Sequence, residues 1–255
     1  MKKKKALILL SGGMDSVTAV YYALNMLYDV TGISFSYGSK HNEKERAAGA
    51  WICKNLDIPF YTYNLPMECW IVGKQESFLK SNLLQDQGEI PEGHYAEESM
   101  KSTVVPFRNG IMLALAAGFA ESREFDVIIL ANHAGDHNLY PDCREVFTIA
   151  MGNAIQNGTY NGVQILSPFG NWNKAKIAIW GMEHDVPYEH TWTCYNGQGD
   201  RPCLKCGTCQ ERTGAFLSTG YPDPFLTKEE WKQAVIIYTK TISSHGVPVT
   251  FKEKE

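Results

Sequence analysis

An apolar run, Ala6–Leu10, enters a knot of small polar residues, Ser-Gly-Gly-Met-Asp-Ser at 11–16. It leaves into apolar positions at helical spacing: Val17, Val20, Tyr21, Leu24 and Leu27. This junction constrains the fold more than any other part of the chain. A continuous apolar run suits a strand covered on both faces, as in a parallel sheet between helices. The pattern then repeats. Residues 30–35 read as a second strand, 40–56 as a helix with a charged first half, and 59–65 as a third strand. Strand–helix–strand–helix–strand within 65 residues predicts an α/β fold with a doubly wound parallel sheet. The rhythm stops over about 66–105, an insertion without a clear period, and a loop of that length usually carries function. It resumes with a helix at 109–123, a strand at 125–132, a helix at 143–157, a strand at 162–169 and a helix at 171–185. Near the end, Thr-Lys-Glu-Glu at 227–230 has the form of a capping box and opens a last helix.

A strand-to-helix turn lies at the carboxyl edge of such a sheet, where ligands of open α/β folds bind. Gly12 and Gly13 let the backbone turn and expose N–H groups, Ser11 and Ser16 add hydroxyls, and the helix N-terminus adds positive charge. Together they make a phosphate cradle. Asp15 is out of place beside phosphates unless Mg²⁺ bridges the two. The loop is neither a Walker A sequence nor G-x-G-x-x-G.

Four cysteines, Cys194, Cys203, Cys206 and Cys209, stand in a C-x8-C-x2-C-x2-C pattern. Four thiolates complete the shell of a structural Zn²⁺; an iron–sulfur cluster and a redox pair are the alternatives. Other strand ends carry further candidates. Tyr37, Lys40 and His41 follow the second strand. Arg108 and Asn109 follow Pro106, Asn109 as a helix cap. His133, Asp136, His137, Asp142 and Arg144 crowd one loop. Lys174 opens a late helix, where a lysine is unfavourable unless it meets an anion.

Composition sets the outer bounds. The 255 residues allow one large domain or one with an appendage, and a net charge of −4 disfavours broad electrostatic binding of nucleic acid. No run approaches ~18 consecutive apolar residues, so no membrane span is expected. Lys2–Lys5 read as a solvated tail. Seven cysteines do not suit a disulfide framework, and the expected location is the cytoplasm.

Taken together, LSGGMDS (10–16), SFSYGSKH (34–41), GHYAEESMKSTVVPFRN (93–109), HAGDHNLYPDCR (133–144) and TWTCYNG…RPCLKCGTCQER (191–212) resemble the 7-cyano-7-deazaguanine synthase family of the PP-loop ATP pyrophosphatase superfamily. The resemblance spans about residues 5–220. It implies a PP-loop, adenine-nucleotide-hydrolase-like Rossmann-type core over 1–185 and a zinc-binding knuckle in the region 186–255. The helical tail from about Tyr221 is longer than the resemblance accounts for, and Thr227–Ile242 reads as a helix for dimer packing or a partner. It also implies a reaction. The carboxylate of 7-carboxy-7-deazaguanine is activated by ATP, ammonia gives the amide, and a second ATP drives dehydration to the nitrile. ATP, Mg²⁺ and Zn²⁺ follow as cofactors and a homodimer as the assembly, with no membrane or direct nucleic-acid partner. Leu10, Ser11, Gly12, Gly13, Met14, Asp15 and Ser16, with Tyr37, Lys40 and His41, would hold the nucleotide. Asp15, Arg108, His133, Asp136 and Lys174 would serve catalysis, with the substrate carboxylate between the 11–16 loop and the 133–144 loop. The chain departs from the family pattern at Ser36, at Ser39-Lys40 and at Phe107, where Asn or a small residue is common. Alternatives are a relative that stops at the amide or conjugates a deazapurine, a tRNA thiolase using Cys69 or Cys143, and a zinc-knuckle RNA-binding module.

Overall fold

The computed structural model describes residues 3–66, 68–71, 74–85, 87–94, 97–196 and 199–244. Five parallel strands form the central sheet: β1 (Lys5–Leu9), β2 (Asp29–Ser36), β3 (Phe60–Asn64), β6 (Val127–Ile129) and β7 (Gln164–Leu166). Their order is β3-β2-β1-β6-β7, with Ala6 opposite Val30 on one side and Val127 on the other. The chain winds outward from β1 to β3, then returns to lay β6 and β7 on the opposite side. The crevice at that reversal opens between the carboxyl ends of β1 and β6.

Residue alternation along β1 builds both cores. Ala6 and Ile8 face α1 (Met14–Asn25), α2 (Asn42–Asn55) and α5 (Lys174–Glu183) through Val17, Val20, Ile52 and Ile177. Leu7 and Leu9 face α3 (Arg108–Ser122) and α4 (Glu145–Gly158) through Leu113, Ala116 and Ile155. Fully burying one such side chain is worth about 1.5–3 kcal/mol, so β1 is fixed from both sides. The stretch Glu98–Ser122 is long and apolar enough to cross a bilayer by composition. In this fold α3 lies against the sheet instead, with Leu113, Ala116 and Ala120 fully buried.

Several elements depart from the sequence reading. Residues 66–105 hold an antiparallel hairpin, β4 (Glu68–Ile71) and β5 (Lys74–Ser77). The same stretch is tied down by bridges from Ser39 to Leu84 and from Glu92 to Cys206. A helix unforeseen in the Gly-, Cys- and Thr-rich stretch, α6 (Gly207–Thr219), places Ala215 and Phe216 in the same apolar cluster as Ala6 and Val17. Its Arg212 forms a buried pair with Asp223 at 2.6 Å and donates to the Tyr188 carbonyl at 2.9 Å. The last helix, α7 (Lys228–Ser244), begins at the expected capping box. Glu230 N donates to Thr227 Oγ1 at 3.2 Å, and Thr227 N to Glu230 Oε2 at 2.8 Å. At the N-terminus Lys3 and Lys4 are exposed, but Lys5 is part of β1, its backbone N–H on Asp126 Oδ2 at 2.7 Å. Lys2 and the tail beyond 244 lie outside the described residues.

Candidate active site

The turn after β1 is held by its own serines. Ser11 Oγ accepts from Gly13 N at 3.1 Å, and Ser16 Oγ accepts from Gly12 N at 3.2 Å and donates to Gly13 O at 3.1 Å. Gly12 has φ +94°, and a Cβ there would stand 2.1 Å from the Glu45 carbonyl oxygen. Glycine is therefore required on two counts, backbone angle and contact with α2. No side chain caps α1, which leaves its first-turn amides for another acceptor. Trp192 N donates to Gly12 O at 3.0 Å and joins the turn to the cysteine-bearing segment.

A cavity of about 200 Å³ opens at the reversal point. Of the residues singled out in the sequence, Leu10, Ser11, Gly13, Met14, Asp15, Ser16, Tyr37, His41, Arg108, Asp136 and Lys174 line it. His133 is buried immediately behind it, within reach of Asp15, Asp136 and Lys174. Gly12 does not line it and packs against the backbone of α2 at Glu45 and Gly49. Lys40 points elsewhere: it donates to the carbonyls of Gln87 and Gly88 and so anchors the 81–88 segment.

One end of the cavity is charged. Lys174 Nζ lies 2.9 Å from Asp15 Oδ2 and 2.8 Å from Glu211 Oε2. His133 Nε2 lies 3.9 Å from Asp15, 3.6 Å from Asp136 and 3.7 Å from Glu211. The His133 ring is oriented by its own turn. Its Nδ1 accepts from Gly135 N at 3.0 Å, while its backbone N–H donates to Asp136 Oδ2 at 3.1 Å. A neutral His133 must then carry its proton on Nε2, facing the carboxylates. Burial would raise Asp15, but Lys174 and then His133 outweigh it and hold the carboxyl below its usual range. Burial would discharge Lys174, but Asp15, Glu211 and Asp136 hold it protonated. Asp136 is raised, chiefly by burial. Two carboxylates, Asp15 and Glu211, meet one lysine, and Asp15 Oδ1 is buried without a hydrogen-bond partner. That oxygen suits a hard divalent cation such as Mg²⁺ arriving with the triphosphate. Glu211, one turn into α6, was not singled out in the sequence; its one signal is a place in the CLKCGTCQER stretch.

The other end is aromatic. Arg108 Nη1 donates to Tyr37 OH at 2.9 Å, and the guanidinium lies 5.4 Å from the Tyr37 ring centre and 5.9 Å from that of Tyr140. Tyr140 and Tyr195 share a hydrogen bond at 3.1 Å, and His41 stacks on Tyr195 at 5.1 Å. His41 Nε2 is 3.5 Å from Glu45 Oε2. Burial, with help from Arg108, holds His41 down at about 3; burial against the pull of Arg108 lifts Glu45 to about 8. Asn109 does not cap α3. Asp142 does, its carboxylate accepting from Asn109 N at 2.8 Å, because a charged acceptor from the neighbouring loop reaches the free amide first. Phe107 precedes the helix at φ +54°, an angle that Asn tolerates better, with its ring packed on Gly110 and Phe147. Cys143 lines the cavity, but burial raises its thiol, which suits a small core residue better than a nucleophile. The Cys69 side chain lies outside the described residues.

The four clustered cysteines converge as their spacing implied. Their sulfurs lie within 4.8 Å of one another, Cys203 and Cys209 at 4.0 Å. A tetrahedral Zn²⁺ with Zn–S of about 2.3 Å needs sulfurs about 3.8 Å apart, so the set fits zinc with no open position. The knuckle also forms a wall of the cavity. Trp192, Thr193, Tyr195 and Thr208 line it, Trp192 Nε1 donates to Cys194 O at 2.8 Å, and Thr208 Oγ1 donates to Thr193 O at 2.9 Å.

The profile of the family described as queuosine biosynthesis protein QueC matches residues 5–220. A Porphyromonas gingivalis protein named 7-cyano-7-deazaguanine synthase is 46% identical over 223 residues, 88% of this chain and 97% of that one. Proteins of the same name from Archaeoglobus fulgidus and Pseudoalteromonas translucida are each 41% identical. The first aligns over 92% of this chain and 95% of its own length, the second over 87% and 97%. With this extent and identity, the chain belongs to the queuosine biosynthesis protein QueC family.

Proposed function

We propose that this chain is an ATP-dependent carbon–nitrogen ligase that converts 7-carboxy-7-deazaguanine and ammonia into 7-cyano-7-deazaguanine. The observation that carries the reading is the charged cluster of Asp15, His133, Asp136, Lys174 and Glu211 beside the phosphate-binding turn, at one end of a cavity of about 200 Å³.

A carboxylate is a poor electrophile because it would have to expel oxide or hydroxide. Attack of its oxygen on the α-phosphorus of ATP expels pyrophosphate and gives an acyl adenylate, whose leaving group is AMP. Ammonia adds to the carbonyl carbon, loses a proton and displaces AMP to give the amide. A second ATP activates the amide oxygen. Loss of AMP and of both amide protons leaves the nitrile. Residues 10–16 hold the triphosphate; Tyr37 and His41, expected on the nucleoside side, stand at the aromatic end beside Glu45, and Lys40 is turned to the carbonyls of Gln87 and Gly88. Asp15 would hold Mg²⁺, which offsets the charge of the departing pyrophosphate. Lys174 adds a fixed positive charge at the same point, and Arg108, across the cavity at the aromatic end, lowers the cost of bringing an anionic substrate in beside the phosphates. His133 and Asp136 stand where the proton shed by ammonia must go.

In this reading residues 1–185 bind nucleotide and 186–255 contribute the zinc knuckle, which holds the Trp192–Tyr195 wall, and the helical tail. The enzyme works in the cytoplasm as a homodimer, on small molecules and not on nucleic acid. Mass spectrometry of the product from the acid, ATP, Mg²⁺ and ammonia tests the reaction. The nitrile is expected, with two AMP per product. Accumulation of the amide with one AMP would replace this reading with that of a relative that stops halfway.

A further inference from the structure

The aromatic end of the cavity holds a carboxylate that the reaction does not use. Glu45 lines the cavity one turn into α2, set beside the phosphate turn by the contact of its own carbonyl with Gly12. Its polar neighbours are His41, held neutral by burial, and the Arg108 guanidinium further off. Among the cavity carboxylates it differs from Asp15, which pairs with Lys174, and from Asp136, which caps the His133 turn. Among the described residues no lysine or arginine lies within ion-pair distance of it. A carboxylate kept in such a place, costly to charge and open to the cavity, calls for donors brought by a ligand.

We propose that Glu45 is the residue that selects the base: it accepts hydrogen bonds from the ring N–H and the exocyclic 2-amino group on the guanine-like edge of the substrate. The assignment rests on the function proposed above. Burial by itself favours the protonated acid; a ligand that brings two adjacent N–H donors favours the carboxylate, whose two oxygens only accept, and the guanine edge presents such a pair. An adenine edge offers one amino group beside a ring acceptor, which a carboxylate would repel. Geometry places this edge away from chemistry. With the reacting carboxylate held at the charged end, the far edge of a flat bicyclic base reaches toward the aromatic end, where Tyr37, His41 and Tyr195 enclose it.

The test compares two substrates, 7-carboxy-7-deazaguanine and its analogue lacking the 2-amino group, in the wild-type protein and in Glu45→Gln. Glutamine keeps the size of the side chain but puts an amide N–H₂ against one substrate donor. The wild-type protein should prefer the amino-bearing substrate about 10- to 100-fold in kcat/KM, as expected for hydrogen bonds to a charged group. In Glu45→Gln the preference should fall to about 3-fold or less, with zinc content unchanged and KM for ATP moved less than KM for the base. An undiminished preference in the variant, or a change confined to KM for ATP, would overturn the assignment. No turnover of the acid by wild-type protein would remove the functional reading and this assignment with it.

Discussion

The two ends of the cavity are built on opposite plans. At the charged end Lys174 and His133 each lie within 4 Å of Asp15 and of Glu211, and Asp15 and Lys174 hold each other charged. At the aromatic end Tyr37, Tyr140 and Tyr195 surround Arg108, and the titratable groups His41 and Glu45 are pushed by burial toward their neutral forms. A preorganised set of charges suits a step in which charge develops, since it needs no rearrangement as that charge appears. A flat-walled recess with one fixed cation, Arg108, suits recognition of a flat base, since apolar area and a few placed polar groups decide what fits. The contrast divides the labour: the first end should govern rate, the second selection.

The largest effect should come from the charged end. Asp15→Asn keeps the shape of the side chain, but it removes the charge that Lys174 answers and the oxygen left for a cation. AMP release should fall by roughly 100- to 1,000-fold, with the melting temperature within a few degrees of wild type. Equal activity in this variant would break the contrast, since the charged end would then have no chemical task.

The knuckle should come next, and it touches both ends through the Trp192–Gly12 bond and the Tyr195 ring. Cys206→Ala leaves three ligands for a closed four-ligand site. Elemental analysis should show zinc lost and calorimetry a lower melting temperature, with ATP use falling as a consequence of the displaced wall. Full zinc in this variant would remove the metal from the account.

A smaller effect separates the ends by pH. Glu45 is raised by burial to about 8 from an ordinary value of 4.5. Between those two values the folded protein binds more protons than the unfolded chain, so this residue's contribution to stability is full below about 4.5 and is lost as pH rises through about 8. The melting temperature of wild type relative to Glu45→Gln should therefore fall from pH 5 to pH 8.5. His41, held at about 3, acts in the opposite sense below its ordinary value of 6.5, and it is present in both proteins. A constant difference across the range would mean that Glu45 is solvated, not enclosed.

The same contrast explains what the sequence revealed. The charged end was legible because Asp15, His133, Asp136 and Lys174 each sit at a strand end or the first turn of a helix, positions that chain order alone assigns to one edge of the sheet. The aromatic end was only half legible. Tyr37, His41 and Arg108 stand at such positions, but Glu45, Tyr140 and Tyr195 reach the cavity through a helix face and two loops whose orientation depends on tertiary packing. Glu211 was missed for a related reason. The Gly-Thr-Cys-Gln-Glu-Arg stretch has weak helical propensity, and α6 is held by Phe216 in the core and by the Arg212–Asp223 pair. Asp142 took the capping role expected of Asn109 because the 133–144 loop folds back onto α3, a contact that local sequence does not encode. Lys40 follows a strand end as the others do, yet it serves backbone carbonyls of the inserted segment, so position at the edge does not ensure an aim into the cavity.

The division of labour is tested most directly by single-turnover formation of AMP at varied concentrations of 7-carboxy-7-deazaguanine, comparing Lys174→Ala with Glu45→Ala. For Lys174→Ala the rate at saturation should fall by about 100-fold or more, a larger factor than any change in the half-saturating concentration. For Glu45→Ala the order should reverse, with the half-saturating concentration rising by about 10-fold or more and the saturated rate falling by a smaller factor. If both variants lose rate at saturation in the same proportion, with half-saturation unmoved, the two ends act as one catalytic unit and the account is wrong.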